Sequence, residues 1–197
     1  KWDEIEAITI SYGHGISVTP LHLVRAIAAT VNGGTLPKLS FEPVSINASP
    51  AAKPTLMRAD TTELMRSMYR LVVTHGTARK ADAKGYRVGG KTGTAEKIMP
   101  GGRYSKDEKI ASFVGVFPAD KPEYLIYVMV DGPKGTKATH GYATGGWVAA
   151  PTVGNIVTRM APLVGIQPDF SPELEADFNE YWVDTSPKKP RILQATY

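Results

Sequence analysis

Cysteine is absent from the 197 residues. That excludes disulfides, thiolate metal sites and a cysteine nucleophile. Apolar runs are short, and none approaches the roughly 20 residues of a membrane-spanning helix. No secretory signal is visible. There is no initiator Met; the sequence opens on Lys1-Trp2-Asp3, as a piece of a longer protein would. Dense Lys/Arg clusters with interleaved aromatics, the footprint of nucleic-acid binding, are missing too. The net charge is only +4, and the nearest basic cluster, Lys188, Lys189 and Arg191, lies in a proline-rich tail that reads as solvated. The histidines at 14, 22, 75 and 140 have no metal-ligand spacing. No cofactor, no metal and no nucleic-acid partner is expected.

What remains is an ordinary folded composition, 42% hydrophobic and 21% charged, enough for one domain with a real core. Residues 4–12 partly alternate apolar and polar and suggest a short strand. Thr19-Pro20 reads as an N-cap followed by proline at the first helical position. Leu21, Val24, Ala28 and Val31 continue at helical spacing, and Asn32-Gly33-Gly34 stops them. A proline-rich connector follows over 35–58. Asp60, with Glu63 three residues on, predicts a capped second helix ending before Gly76.

From Tyr86 the texture is β. Strands are expected over 86–94, 110–117 and 124–130, the last so continuously apolar that burial on both faces is predicted. The short link 118–122 favours an antiparallel hairpin. Pro151 should open a third helix with Val153, Ile156, Val157 and Met160 on one face. Residues 166–197, acidic and proline-rich, read as a tail that packs locally or is partly disordered. The expected fold is α/β (α+β), an antiparallel sheet flanked by helices, with residues 1–165 as the domain and 166–197 as its tail.

One stretch matches two motifs. Residues 85–92 fit G-x-x-x-x-G-K-[ST], a phosphate loop. That loop needs a buried strand before it and a helix directly after it. Residues 77–84 are polar, while Gly93, Pro100, Gly101 and Gly102 follow, so both requirements fail. The other motif is Lys91-Thr92-Gly93, one of the three motifs of serine penicillin-binding proteins and β-lactamases. A strand facing a cleft offers a cation and a hydroxyl to a substrate carboxylate. The glycine lets a substrate backbone approach closely, and a backbone N–H just beyond it can donate to a developing oxyanion.

The surroundings decide between them. Gly13-His14-Gly15-Ile16-Ser17-Val18-Thr19-Pro20-Leu21-His22 runs into its helix, followed by Gly90-Lys91-Thr92-Gly93-Thr94-Ala95. Ala111-Ser112-Phe113-Val114-Gly115-Val116-Phe117-Pro118 comes next, then Gly145-Gly146-Trp147-Val148-Ala149-Ala150-Pro151. In this order and spacing the chain resembles class B penicillin-binding proteins, the division-type peptidoglycan D,D-transpeptidases, over about residues 9–168. The resemblance implies a β-lactamase-like transpeptidase fold, here incomplete. Lys91 would bind the terminal carboxylate of the stem peptide, and the Thr92 and Thr94 hydroxyls would hydrogen-bond that carboxylate or its β-lactam counterpart. Gly93 would permit close approach, and the Thr94 backbone N–H would form half of the oxyanion hole. Implied partners are peptidoglycan stem peptides, β-lactams, the missing N-terminal half of the same domain, and division proteins. The implied location is the periplasmic side of the inner membrane, with the membrane anchor outside this chain.

The family nucleophile, the serine of S-x-x-K, and its S-x-N motif have no convincing counterpart. Ser186-Pro187-Lys188-Lys189 follows the lysine motif in a tail with prolines at 187 and 190, where the required helix cannot form. Ser45-Ile46-Asn47 lies in the proline-rich connector, too late in the family order. The chain is therefore expected to carry half of an active site and to be inactive alone. A non-catalytic binding module of the same fold is the alternative, and a nucleotide hydrolase stands behind it. A truncated sheet should also expose apolar surface and an unpaired strand edge.

Overall fold

The computed structural model describes residues 2–11, 13, 15–43 and 55–182. His14, Ser45–Asn47 and Ser186–Lys189 lie outside them. In chain order the elements are α1 (Glu4–Ser11), α2 (Pro20–Val31), α3 (Ala59–Thr74), β1 (Gly89–Ile98), β2 (Tyr104–Phe117), β3 (Tyr124–Asp131), α4 (Gly145–Leu163) and α5 (Pro172–Asn179). The strands form one antiparallel sheet in the order β1-β2-β3.

Local signals explain most of these elements, and some override the sequence expectations. Residues 4–11 form a helix rather than a strand. Asp3 Oδ1 accepts the Glu6 N–H at 2.7 Å and Glu6 Oε2 accepts the Asp3 N–H at 3.1 Å, a reciprocal cap that outweighs the partial alternation. Helix α2 begins as expected, with Thr19 Oγ1 accepting the His22 N–H and Pro20 at the start. Helix α3 starts one residue before Asp60. Arg58 is its cap, and the Asp60 carboxylate instead takes Arg58 at 2.7 Å and the Thr61 N–H at 2.7 Å. A carboxylate in a first turn still complements the helix dipole.

Two larger corrections concern α4 and β3. Helix α4 begins six residues before Pro151, which sits inside it. An interior proline costs about 3 kcal/mol. Full burial of Ala149, Ala150, Val153, Val157 and Ala161 against the sheet and the segment 79–81 offsets it. β3 is only half-buried, with Met129 49% exposed. It is an edge strand among the described residues, so one side of the ladder and part of one face lack a neighbour.

The core lies on both faces of β2, as the two-residue period of a strand requires. Phe113 and Phe117 point to one face and join Val73, Val88, Val153 and Val157. Val116 points to the other and meets Val31 and Tyr69. Residues 166–182 are docked rather than loose: Ile166 packs on the first cluster and Phe178 is buried. The expected exposed apolar side chains are present, Trp2, Ile5 and Phe41 among them. β1 and β3 each have one unpaired edge among the described residues.

Candidate functional site

Lys91, Thr92, Gly93 and Thr94 are consecutive residues of β1, paired in register with Val114, Phe113, Ser112 and Ala111 of β2. The alternation of a strand puts Thr92 and Thr94 on one face and Lys91 and Gly93 on the other. β1 starts at Gly89, later than the 86–94 expected, because residues 83–88 are occupied by a tight turn closed by the Tyr86 N–H to Ala83 O bond of 2.8 Å. No helix follows Lys91 and Thr92; the strand continues to Ile98. The geometry of a phosphate loop is therefore not present.

The Lys91 side chain is exposed, and among the described residues its Nζ donates only to Thr92 O, at 2.8 Å. No carboxylate among the described residues neutralises it. The Thr92 hydroxyl lies 2.9 Å from that of Thr77, so one of the two donates a hydrogen bond to the other. Thr94 Oγ1 accepts the N–H of Gly145 at 3.1 Å, which leaves the hydroxyl proton of Thr94 free to donate.

That last bond ties the motif to α4. Gly145 is the first residue of this 19-residue helix. Its own cap, Thr144, makes no side-chain bond to the helix, so Thr94 takes over part of the capping. Approach is close: a Cβ at Gly145 would lie 2.6 Å from Gly93 O. A Cβ at Gly93 would lie 2.6 Å from Ser112 Oγ. The positive end of the α4 dipole thus rests on the same strand that carries the unneutralised lysine and two hydroxyls. This combination favours a small anion, above all a carboxylate.

Sequence reasoning missed Thr77 and Gly145. Residues 77–84 mattered there only as a polar stretch unfit for a phosphate loop. The Gly145-Gly146 pair, a signal for close helix approach, was set outside the helix by the proline at 151. His75, His140, Asp120 and Asp131 make structural contacts. His140 lies edge-on to Trp147, which stacks with Tyr142 and has Lys80 Nζ 4.2 Å from its ring centre. His75 stacks on Trp182. Asp120 pairs with Arg87, and Asp131 with Lys97. Among the described residues no group of His, Asp or Glu could hold a metal ion, and no helix is long and apolar enough to cross a membrane.

Residues 1–158 match the family described as penicillin binding protein transpeptidase domain. Stage V sporulation protein D of Bacillus subtilis is 43% identical over 190 residues, covering 92% of this chain and 28% of that protein. The probable peptidoglycan D,D-transpeptidase FtsI of Caulobacter vibrioides is 37% identical, covering 85% of this chain and 30% of the relative. The transpeptidase domain of penicillin-binding protein 3 from Burkholderia pseudomallei superposes with a TM-score of 0.75 at 35% identity, covering 86% of this chain and 50% of that one. Penicillin-binding protein 3 from Mycobacterium tuberculosis, complexed with ampicillin, gives 0.69 at 28% identity, covering 87% and 40%. The chain therefore spans less than a third of these curated relatives and about half of a solved domain.

Proposed function

The chain belongs to the penicillin-binding protein transpeptidase family, and from that membership we propose that it is the C-terminal half of a peptidoglycan D,D-transpeptidase domain. In this reading Lys91, Thr92 and Thr94 hold the terminal carboxylate of a stem peptide, Gly93 gives the peptide backbone room, and the Thr94 N–H is one oxyanion donor. The observation that carries it is that one four-residue stretch of an edge strand bears the exposed Lys91, with no carboxylate partner among the described residues, two hydroxyls and the contact with the start of α4. The edge position of β1 adds to it, since an extended peptide can lie along an unpaired strand.

The chemistry then divides between two segments. A serine outside these 197 residues attacks the penultimate D-Ala carbonyl. Its proton passes to a base, the C–N bond to the terminal D-Ala breaks, and an acyl-enzyme forms. A neighbouring stem-peptide amine then takes the acyl group and frees the serine. A β-lactam, whose carboxylate mimics that of the terminal D-Ala, is attacked in the same way and stays attached. The protein works in cell-wall synthesis at division, on the periplasmic side of the inner membrane.

Fluorescent penicillin tests this directly. The full-length protein becomes covalently labelled at a serine outside residues 1–197, and the isolated chain stays unlabelled. A label mapped to a serine within the chain refutes the division of labour. Failure of the full-length protein to label or to process D-Ala-D-Ala favours a non-catalytic carboxylate-binding module. A titration with ATP and Mg²⁺ is expected to show no binding that depends on Lys91.

A further inference from the structure

We propose that residues 166–182 form a brace that positions the Lys91–Thr94 strand, with Arg70 as the positioning residue through which it acts. The proposal rests on the transpeptidase reading for its effect on chemistry, while its structural half stands apart from that reading.

Arg70 of α3 is only 5% exposed. Its Nη1 donates to Asp82 Oδ1 at 2.9 Å and to the carbonyl of Val88 at 2.9 Å. Its Nη2 and Nε grip the Glu175 carboxylate of α5, at 2.6 and 3.1 Å. Arginine cannot shed its charge in a protein interior, so the two carboxylates fix where the guanidinium sits. Val88 immediately precedes β1. The carbonyl that Arg70 holds is three residues from Lys91.

A second buried arginine repeats the arrangement one residue earlier. Arg87 is 9% exposed. Its Nε donates to Asp120 Oδ1 at 3.1 Å and its Nη2 to Asp169 Oδ2 at 3.0 Å. The Asp169 N–H donates to Gly85 O at 2.8 Å. Gly85 admits this contact because it lacks a side chain: a Cβ there would lie 2.7 Å from Pro168 and 2.8 Å from Phe170. The C-terminal segment thus reaches Gly85 and Arg87 directly, and Val88 through Arg70. All three lie in the lead-in to the motif strand. At its far end Trp182 stacks on His75 with ring centres 4.3 Å apart, which makes Trp182 emission a reporter of docking.

A segment that merely adds stability has no reason to tie itself to residues 85–88. One that sets the strand does, because a displacement there is passed along β1 to the carboxylate and oxyanion donors. The mechanism depends on charge: Glu175 and Asp169 keep the two arginines aimed, and their neutral amides do not.

The test uses the full-length protein with Glu175→Gln, Asp169→Asn and the double variant, and Glu175→Asp as the conservative rescue. Three quantities are measured well below the melting temperature: the acylation rate with a labelled β-lactam, hydrogen exchange of the amides of residues 88–92, and Trp182 emission. We expect acylation to fall five- to tenfold in the double variant, with faster exchange at 88–92 and partial recovery in Glu175→Asp. An acylation rate within twofold of wild type, with Trp182 emission reporting an undocked segment, overturns the proposal. If the double variant loses its far-UV dichroism, Glu175→Gln alone decides on the same readouts. If wild type does not acylate, the transpeptidase reading fails, and exchange at 88–92 still decides the brace. Unchanged exchange there in Glu175→Gln refutes it.

Discussion

Replacing Gly145 with Ala sets two physical effects against each other. Gly145 is the first residue of α4, and alanine in place of glycine in a helix is favourable by up to about 1 kcal/mol. If propensity governed, the variant would be more stable. The structure argues the opposite. The new Cβ would lie 2.6 Å from Gly93 O and would press on Ser112 O as well. Both atoms are backbone within a paired ladder, so neither can rotate away, and overpacking of this kind costs about 1–3 kcal/mol. Any retreat of α4 also stretches the Gly145 N–H to Thr94 Oγ1 bond, now 3.1 Å, forfeiting about 0.5–1.5 kcal/mol. The net expectation is destabilisation by about 1–3 kcal/mol. Gly93→Ala is the control. Its Cβ would meet Ser112 Oγ at 2.6 Å but the Ser112 Cβ only at 3.9 Å. That hydroxyl can turn aside, so the cost should stay below about 1 kcal/mol. Urea unfolding followed by far-UV dichroism measures both, provided the m values agree. A Gly145→Ala variant as stable as wild type, or equal losses in the two variants, would refute the close packing of α4 on the motif strand.

Three further outcomes follow from the same geometry. Lys91→Met should slow acylation by a labelled β-lactam about 10- to 100-fold, the loss of one charge-assisted carboxylate contact. Its melting temperature should barely move, because Lys91 is exposed and bonds only to a neighbouring carbonyl. Phe113→Ala removes a fully buried ring from the main cluster and should cost about 3–5 kcal/mol in a denaturant titration. Asp169 is held to about 2, first by the Ser171 N–H and then by Arg87. A folded-state pKa below the unfolded value gives stability that is present above the ordinary aspartate range. It is lost as pH falls from about 4 toward 2. Acid titration of Asp169→Asn should lack that part of the unfolding limb, and an unchanged profile would count against a carboxyl held low by Ser171 and Arg87.

The strands and the motif were legible because their signals are local. Apolar runs and the short link between them identify β2, β3 and the hairpin, and Lys91-Thr92-Gly93 carries its own chemistry. The errors arose where a local signal competed with contacts made elsewhere. Pro151 resembles a helix start in isolation, yet the full burial of Ala149 and Ala150 ahead of it extends α4 backward to Gly145. Residues 124–130 read as buried on both faces from composition, but burial depends on neighbours that only the sheet order reveals. For the stretch after residue 166, read as a tail that packs locally or is partly disordered, the contacts themselves were not legible, because the partners of Glu175 and Asp169, Arg70 and Arg87, lie about 80 to 105 positions away. Conversely, the reciprocal pair Asp3 and Glu6 was visible in the sequence, and the weak alternation over 4–12 masked it.

In the proposed function, the strand assigned to the carboxylate is held by parts of the chain outside the Lys91–Thr94 motif. α4 meets Gly93 and Thr94 through Gly145, Thr77 hydrogen-bonds Thr92 hydroxyl to hydroxyl, and Arg70 fixes the carbonyl before Gly89. None of these groups has chemistry to perform, and each removes a freedom that β1 would otherwise have along its unpaired edge. An edge strand must stay open on one side to accept an extended substrate, so it cannot be steadied by a second ladder partner there. It has to be steadied from the other side, from behind and from its base. The placement of α4, Thr77 and Arg70 meets those needs. Gly145, Thr77 and Arg70 are therefore the residues whose substitution should move acylation while leaving Lys91 and Thr94 chemically intact.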